Sequence, residues 1–506
     1  MQIRDTAVAT PDKPAIIMYP SGTVVTFGEL EARANRLAHL FRNAGLVEGD
    51  AVAILMENNE HIHAVMWAGR RAGLYYVPIS THLTAAEVAY IVDNSGAKAI
   101  VGSAKLADTL AGLAAELPRG LPPVLLIAGG SLDGWQSYPE CVADLPDTPI
   151  DDEIEGDLLQ YSSGTTGRPK GIKRELPHVP PSESPGLMAA LVSFWMHPDT
   201  VYLSPAPLYH TAPSVWSMQT QAGGITTVVM EKFDAEGALD AIATHKVTHG
   251  QFVPVMFTRM LKLPEDVRKS YDVSSLERVM HAAAPCPVEV KKQMIDWWGP
   301  IVDEYYASSE AHGSTLISAE EWLTHPGSVG KPLSGVIHIV GENGEELPPG
   351  QAGEIYFEGG YDFEYLNDPD KTASSRHSQG WKTVGDIGYL DEDGYLYLTD
   401  RRHHMIISGG VNIYPQEAEN LLVTHPKVMD AAVFGVPDEE MGQRVAAAVQ
   451  TVDPADATDE FAAELIAWLR DRLAHYKCPR TLSFEAQLPR TDTGKLYKQE
   501  LIKKYS

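Results

Sequence analysis

Cysteine is the scarcest chemistry-bearing residue in this chain of 506 residues. There are three, Cys141, Cys286 and Cys478, odd in number and far apart. They form no CxxC pair and no disulfide framework, which leads us to expect a reducing, cytoplasmic setting. Long apolar runs are missing as well. No window approaches the length that spans a bilayer, so no integral membrane association is expected. The opening residues lack a basic start followed by an apolar core, so no export leader is expected. Positive charge is also short, with 40 Lys and Arg against 68 Asp and Glu and a formal charge of −28. Such a surface repels nucleic acid and anionic lipid, and neither is expected as a partner. Repeats and low-complexity tracts are absent.

What remains is the composition of a soluble globular protein, 44% hydrophobic and 21% charged, and too long for one ordinary core. Thr26 and Glu29 form a capping box ahead of Phe27, Leu30, Leu37 and Phe41, which predicts a helix from Phe27 to Ala44 that Gly45 stops. Apolar runs such as Ala51–Met56 and Lys98–Val101 alternate with helical stretches such as Ile62–Ala72. This predicts α/β layering with largely parallel sheets. From about Val336 to Thr399 the chain is richer in strands and punctuated by Gly, Pro and Asp turns, as in a small β-barrel or a distorted sheet. A linker is placed near Asp400–His404. Beyond it, Pro415 and Glu417 open a helix, Ala431–Val436 and Val445–Val449 read as strands, and Phe461, Leu465, Trp468 and Leu469 share one helix face. The fold class is thus α/β. A large N-terminal domain, residues 1–400, combines layered α/β subdomains with a distorted β-barrel. A small α+β domain, residues 401–506, follows it.

The densest chemistry lies in Tyr161-Ser162-Ser163-Gly164-Thr165-Thr166-Gly167-Arg168-Pro169-Lys170-Gly171. Glycines admit an anion close to the backbone, hydroxyls and N–H groups donate to it, and Lys170 supplies charge, so an acidic protein can cradle polyphosphate here. An ordinary polar hairpin loop would share much of this composition. The Gly-Lys-Ser/Thr of the nucleoside-triphosphatase P-loop is not present.

This stretch resembles the signature of the superfamily that includes acyl-CoA synthetases, peptide-synthetase adenylation domains and firefly luciferase. Co-linear segments similar to its other motifs run from about Thr26 to Lys495. The resemblance implies that Ser162, Ser163, Gly164, Thr165, Thr166, Gly167 and Lys170 bind ATP phosphates. In Pro207-Leu208-Tyr209-His210 it implies that His210 positions the carboxylate or gates the acyl pocket. The small side chains of Ala282-Ala283-Ala284-Pro285 would let adenine lie against Ala283, Ala284 and Pro285. In Tyr306-Ala307-Ser308-Ser309-Glu310, Tyr306 would stack on adenine, Ser309 would bond the α-phosphate, and Glu310, with Thr165, would hold magnesium. Here Ala307 replaces the family's glycine and Ser309 its threonine, which keeps the hydroxyl but crowds the backbone.

Further along, Asp386 resembles the acid that accepts from both ribose hydroxyls, and Arg401 the arginine at ribose or phosphate. Arg402 and His403 fall at the family's interdomain hinge, followed by His404. Ser408-Gly409-Gly410-Val411-Asn412-Ile413-Tyr414-Pro415 is similar to the CoA-ligase form, whose loop packs beside the pantetheine tunnel. Lys495, in Leu488–Lys495, resembles the adenylation lysine of a small domain that is mobile between half-reactions.

The implied activity is ATP- and magnesium-dependent conversion of a carboxylic acid to an acyl-adenylate, then transfer to CoA with release of AMP and pyrophosphate. An amide synthetase that passes the adenylate to an amine is the alternative within the family. A non-catalytic nucleotide sensor is the alternative outside catalysis, and retention of Glu310, Asp386 and Lys495 argues against it. Trp195, Trp216, Met218, Val255 and Met256 lie in segments that could line an acyl pocket for an apolar aryl or fatty acid, or could equally be core. A monomer or homodimer is expected.

Overall fold

The computed structural model describes residues 2–162, 169–184, 195–401, 404–490 and 496–506. It divides into two compact units. One comprises Met1–Gln251, Tyr271–Arg278 and Asp362–Thr372; the other comprises Phe252–Ser270, Val279–Tyr361 and Ala373–Ser506.

In the first unit the early helix runs Phe27–Asn43, with Ala44 as its cap. Glu29 N donates to Thr26 Oγ1 at 3.2 Å, and Thr26 N donates to Glu29 Oε2 at 3.0 Å. This reciprocal pair satisfies donors that the first helical turn leaves open. Phe27, Leu30, Leu37 and Phe41 are all buried. Gly45 follows at φ +81°, a left-handed conformation that ends the helix. A second helix, Ile62–Arg71, is buried along its whole length. It carries Arg71 into a buried ion pair with Glu31 at 2.8 Å.

Six parallel strands form a sheet in the order Gln136–Ser137, Val124–Ala128, Ala97–Ser103, Ala51–Leu55, Tyr75–Pro78 and Asp157–Leu158. Two of its neighbour pairs, Ala97–Ser103 with Ala51–Leu55 and Tyr75–Pro78 with Asp157–Leu158, join strands that are not consecutive in sequence, the crossovers of a doubly wound sheet. Ala51–Leu55 is buried at every residue, and so reads as an unbroken apolar run rather than an alternating one. A further parallel group holds Val201–Ser204, Thr226–Met230 and Pro14–Tyr19, with Val24–Thr26 added antiparallel. Gln160–Ser162, Lys170–Lys173 and Glu364–Tyr365 make a small antiparallel sheet.

The second unit begins from a parallel pair, Arg278–His281 beside Val302–Ala307. It continues antiparallel through Ser314–Ile317, Ser328–Ser334, Leu396–Arg401, Asp386–Leu390, Gly353–Glu358 and Val336–Val340. Register shifts interrupt three of these pairings, so the strand-rich stretch is the distorted sheet its turn signals predict.

The C-terminal sheet has Val411–Ile413, Ile406–Ser408, Gly442–Thr451 and Val428–Asp438 in order, with Thr481–Phe484 parallel to Gly442–Thr451. The two long strands extend beyond the predicted spans because they pair with each other along their whole length. Helices Pro415–Leu422 and Asp459–Arg470 cover this sheet. Phe461, Leu465 and Leu469 enter its core, and Trp468 packs at the edge of that core.

Candidate active site

The first unit holds the stem of the Ser/Gly/Thr-rich loop. Lys170 pairs with Ser162 and Gly171 with Tyr161, so the chain leaves and re-enters as a hairpin. Ser163, Gly164, Thr165, Thr166, Gly167 and Arg168 lie outside the described residues. Lys170 Nζ is 3.0 Å from Asp368 Oδ2, a partly exposed ion pair. It also stands 5.9 Å from the centroid of the Tyr365 ring. A loosely held cation of this kind can exchange an exposed carboxylate for a phosphate at small cost.

The same stem reaches the Tyr209-His210 segment. Buried Gln160 donates through Nε2 to the Tyr209 carbonyl at 3.2 Å. Buried Asn58 fixes that segment from the other side. Its Nδ2 donates to the Ala206 and Met230 carbonyls at 3.1 and 2.7 Å, and its Oδ1 accepts from Leu208 N at 2.8 Å. His210 stands at the N-cap of helix Thr211–Ala222, with its ring 4.6 Å from that of Tyr209. Trp216 is fully buried and stacks between Trp195 and Tyr202 at 6.0 and 6.4 Å. Met218 is buried on the same helix. Val255 and Met256 belong to the other unit, on helix Pro254–Leu261, where Met256 is buried and Val255 half-buried.

The second unit gathers the segments assigned to the nucleoside. Tyr306, on strand Val302–Ala307, donates through Oη to Asp386 Oδ2 at 2.7 Å, and both side chains are buried. Asp386 begins strand Asp386–Leu390 and stands opposite Arg401 in register. Gly385, at φ +82°, donates its N–H to Thr383 Oγ1 at 3.0 Å and turns the chain into that strand. Glu310 is buried on the loop after Tyr306. Ser308 Oγ and His312 Nδ1 lie 2.8 Å apart. Burial pushes the His312 imidazole below its ordinary range, while the Glu310 and Asp386 carboxylates pull the other way. Ala283 adopts φ +75°. This left-handed turn costs an L-residue roughly 1–2 kcal/mol and marks the Ala282–Pro285 segment as held in place.

Ser408 closes a two-residue hairpin against Val411. Gly409 and Gly410 sit at φ +58° and +79°, the pair of positive values that a type I′ turn requires. His404 lies 3.6 Å from Asp400. Arg402, His403 and Lys495 lie outside the described residues.

Sequence reasoning did not single out Asn58, Gln160, His312 or Lys382. Lys382 is buried four residues before Asp386 and donates to the Gly359 and Tyr361 carbonyls at 3.1 and 3.0 Å. Its place shortly before Asp386 and the nearness of His312 to Glu310 were usable signals. A lone Asn or Gln carries none.

The AMP-binding enzyme model matches residues 3–363, and the AMP-binding enzyme C-terminal domain model matches 417–495. The chain belongs to the AMP-binding enzyme family. Feruloyl-CoA synthase from Amycolatopsis sp is 35% identical over 489 residues, covering 96% of this chain and 94% of that protein. The long-chain-fatty-acid–CoA ligase FadD13 of Mycobacterium tuberculosis is 30% identical over 516 residues, covering 100% and 98%. Among solved structures, the amide bond synthetase McbA from Marinactinospora thermotolerans aligns with a TM-score of 0.81 at 27% identity, covering 97% of each chain. Among the described residues no helix is long and apolar enough to cross a membrane.

Proposed function

We propose that this family member is an AMP-forming acid–thiol ligase. It activates an apolar aryl or fatty acid with ATP and passes the acyl group to CoA. The buried Tyr306–Asp386 hydrogen bond carries this reading. It turns a carboxylate into a pre-oriented acceptor beside an aromatic ring, which is what a ribose diol next to a purine needs.

In the first half-reaction a carboxylate oxygen bonds to the α-phosphorus, and the bond from that phosphorus to the bridging oxygen breaks, releasing pyrophosphate. Both reactants are anions, so positioning and charge neutralisation dominate. Asp386 accepts from the ribose hydroxyls, with Arg401 also at ribose or phosphate. Tyr306 lies against adenine, and Ala283, Ala284 and Pro285 leave room for the base. Ser309 donates to the α-phosphate. Ser162, residues 163–167 and Lys170 receive the remaining phosphates, His210 orients the acid, and Lys495 neutralises charge at the reacting phosphate.

Glu310 and Thr165 would hold magnesium. A buried carboxylate is the oxygen donor that ion prefers, and among the described residues no group of three acidic, His or Cys side chains forms a closed metal cage. Water and phosphate oxygens would complete its ligands, and the ion would neutralise phosphate charge. In the second half-reaction the CoA thiolate bonds to the carbonyl carbon, and the carbon–oxygen bond to AMP breaks. Residues 401–506 would act as the small mobile domain, turning about Arg402 and His403. That turn withdraws Lys495 and brings the Ser408–Gly410 hairpin beside the thiol path. The free thiols of Cys141, Cys286 and Cys478 suit the reducing cytoplasm in which we place the enzyme.

The test is incubation with ATP, magnesium and a panel of aryl and fatty acids, with and without CoA, with products identified by mass. Acyl-CoA formed only when CoA is present supports the ligase and names its acid. An adenylate that ignores CoA and is captured by amines would favour the second reading, to which the fold likeness to McbA lends weight. Absence of adenylate with every acid would overturn both.

A further inference from the structure

Beneath the two segments assigned to the nucleoside lies a buried group of charged and titratable side chains without a role so far. Lys291, on helix Val288–Trp298, is fully buried, and its Nζ lies 2.8 Å from Glu304 Oε2. The same ammonium stands 4.9 Å from the centroid of the Trp322 ring. His281 Nε2 lies 3.3 Å from the same Glu304 oxygen without forming a hydrogen bond to it, with its ring also fully buried. Burial holds that imidazole well below its ordinary range, and Lys291 pushes it further down. His281 is therefore neutral; burial raises the Glu304 carboxyl, the ammonium and hydrogen bond of Lys291 oppose that rise, and the charge pair is Lys291 with Glu304.

The position of this pair gives it meaning. His281 ends the strand leading into Ala282–Pro285, and its register partner on the neighbouring strand is Glu304. Lys291 lies in the first turns of the helix that leaves this turn, its N–H bonded to the Pro287 carbonyl at 3.1 Å. Glu304 precedes Tyr306 by two residues on strand Val302–Ala307. Through its bond to Lys291 and its register pairing with His281, Glu304 therefore links the exit and the entry of the left-handed Ala283 turn to the strand that presents Tyr306. Taking both charges out of water is expensive, and an apolar pair of the same volume would usually serve stability as well. What the ion pair adds over an apolar pair is one definite spacing between the two segments.

We propose that Glu304, held by Lys291, is a positioning residue that sets the distance between the Ala282–Pro285 turn and Tyr306, and thereby the affinity for the adenine nucleotide. This rests on the reading of those segments as the adenine site. The experiment uses the full-length chain and measures the dissociation constant of ATP with magnesium by calorimetry, KM for CoA, and the melting temperature. The variants are Glu304→Gln, the double variant Lys291→Met/Glu304→Met, and Tyr306→Ala. Glu304→Gln is expected to weaken ATP binding about tenfold while KM for CoA stays within about twofold. The double variant is expected to recover the parent melting temperature without recovering ATP affinity. Unchanged ATP binding in Glu304→Gln, or affinity restored together with stability in the double variant, would overturn the proposal. If Tyr306→Ala weakens ATP binding and Glu304→Gln does not, this inference alone falls. If Tyr306→Ala leaves ATP binding intact, the adenine reading falls and takes the inference with it.

Discussion

At the residue scale the phenol of Tyr306 holds Asp386 in place. Removing its hydroxyl in Tyr306→Phe keeps the ring for stacking but leaves Asp386 without the donor at 2.7 Å. A hydrogen bond to a charged group contributes about 1.5–3 kcal/mol, so KM for ATP should rise by roughly ten- to a hundredfold. Steady-state kinetics at saturating acid reads this directly, and an unchanged KM would detach Asp386 from ribose. Lys495→Ala is expected to abolish adenylate formation and to spare thioester formation from a supplied acyl-adenylate; equal loss of both would end the division of labour assigned to the two half-reactions. The residues behind these tests were legible because they sit in short motifs whose order carries information. Asn58 and Glu304 were not. Asn58 acts on carbonyls of Ala206 and Met230, 148 and 172 positions away, and Glu304 meets Lys291 only because a strand and a helix fold together.

At the element scale local chemistry is nearly sufficient. The Thr26/Glu29 box, the Phe27–Phe41 stripe and Gly45 delimit one helix to within a residue of the observed Phe27–Asn43. Thr26→Ala should cost about 1 kcal/mol, seen as a lower melting temperature with unchanged catalysis. The hairpin Ile406–Ser408/Val411–Ile413 offers a cleaner case. A Cβ at Gly410 would meet nothing within 4 Å, so only its φ of +79° opposes substitution. Gly410→Val should therefore destabilise by roughly 1–2 kcal/mol through backbone strain alone. A variant as stable as the parent would mean that the turn has another conformation in solution. Strand ends were less legible. Val428–Asp438 outgrows its predicted span because a partner strand, not its own composition, sets its length.

At the scale of the whole molecule, alternating elements foretold α/β layering, while the order of the strands had no local signal. That order comes from which apolar faces find each other after the chain collapses. Long-range burial also sets a pH dependence. His63 is fully buried and pushed down to about 3, and His281 and His312 are lowered for the same reason. Their unfolded values near about 6.5 lie above their folded ones, so the unfolded chain binds more protons. Stability is thus full above about pH 6.5 and falls as pH drops below it, by up to about 1.4 kcal/mol per pH unit for each such histidine. Melting curves on either side of that pH should show the slope, and His63→Gln should make it shallower. An identical slope in the variant would remove His63 from the account.

The two amide donors of Asn58 also bear on how the protein ages. Spontaneous hydrolysis of that side chain to a carboxylate would exchange two donors for an acceptor facing the Ala206 and Met230 carbonyls. Three oxygens would then crowd a site closed to water, and the segment leading to His210 would lose its anchor. The folded chain shields this amide, so damage should accumulate there only in molecules that open. The deamidated fraction at Asn58 after mild alkaline storage, read by peptide mass, should track the lost activity and serve as a clock for how often this part of the protein unfolds.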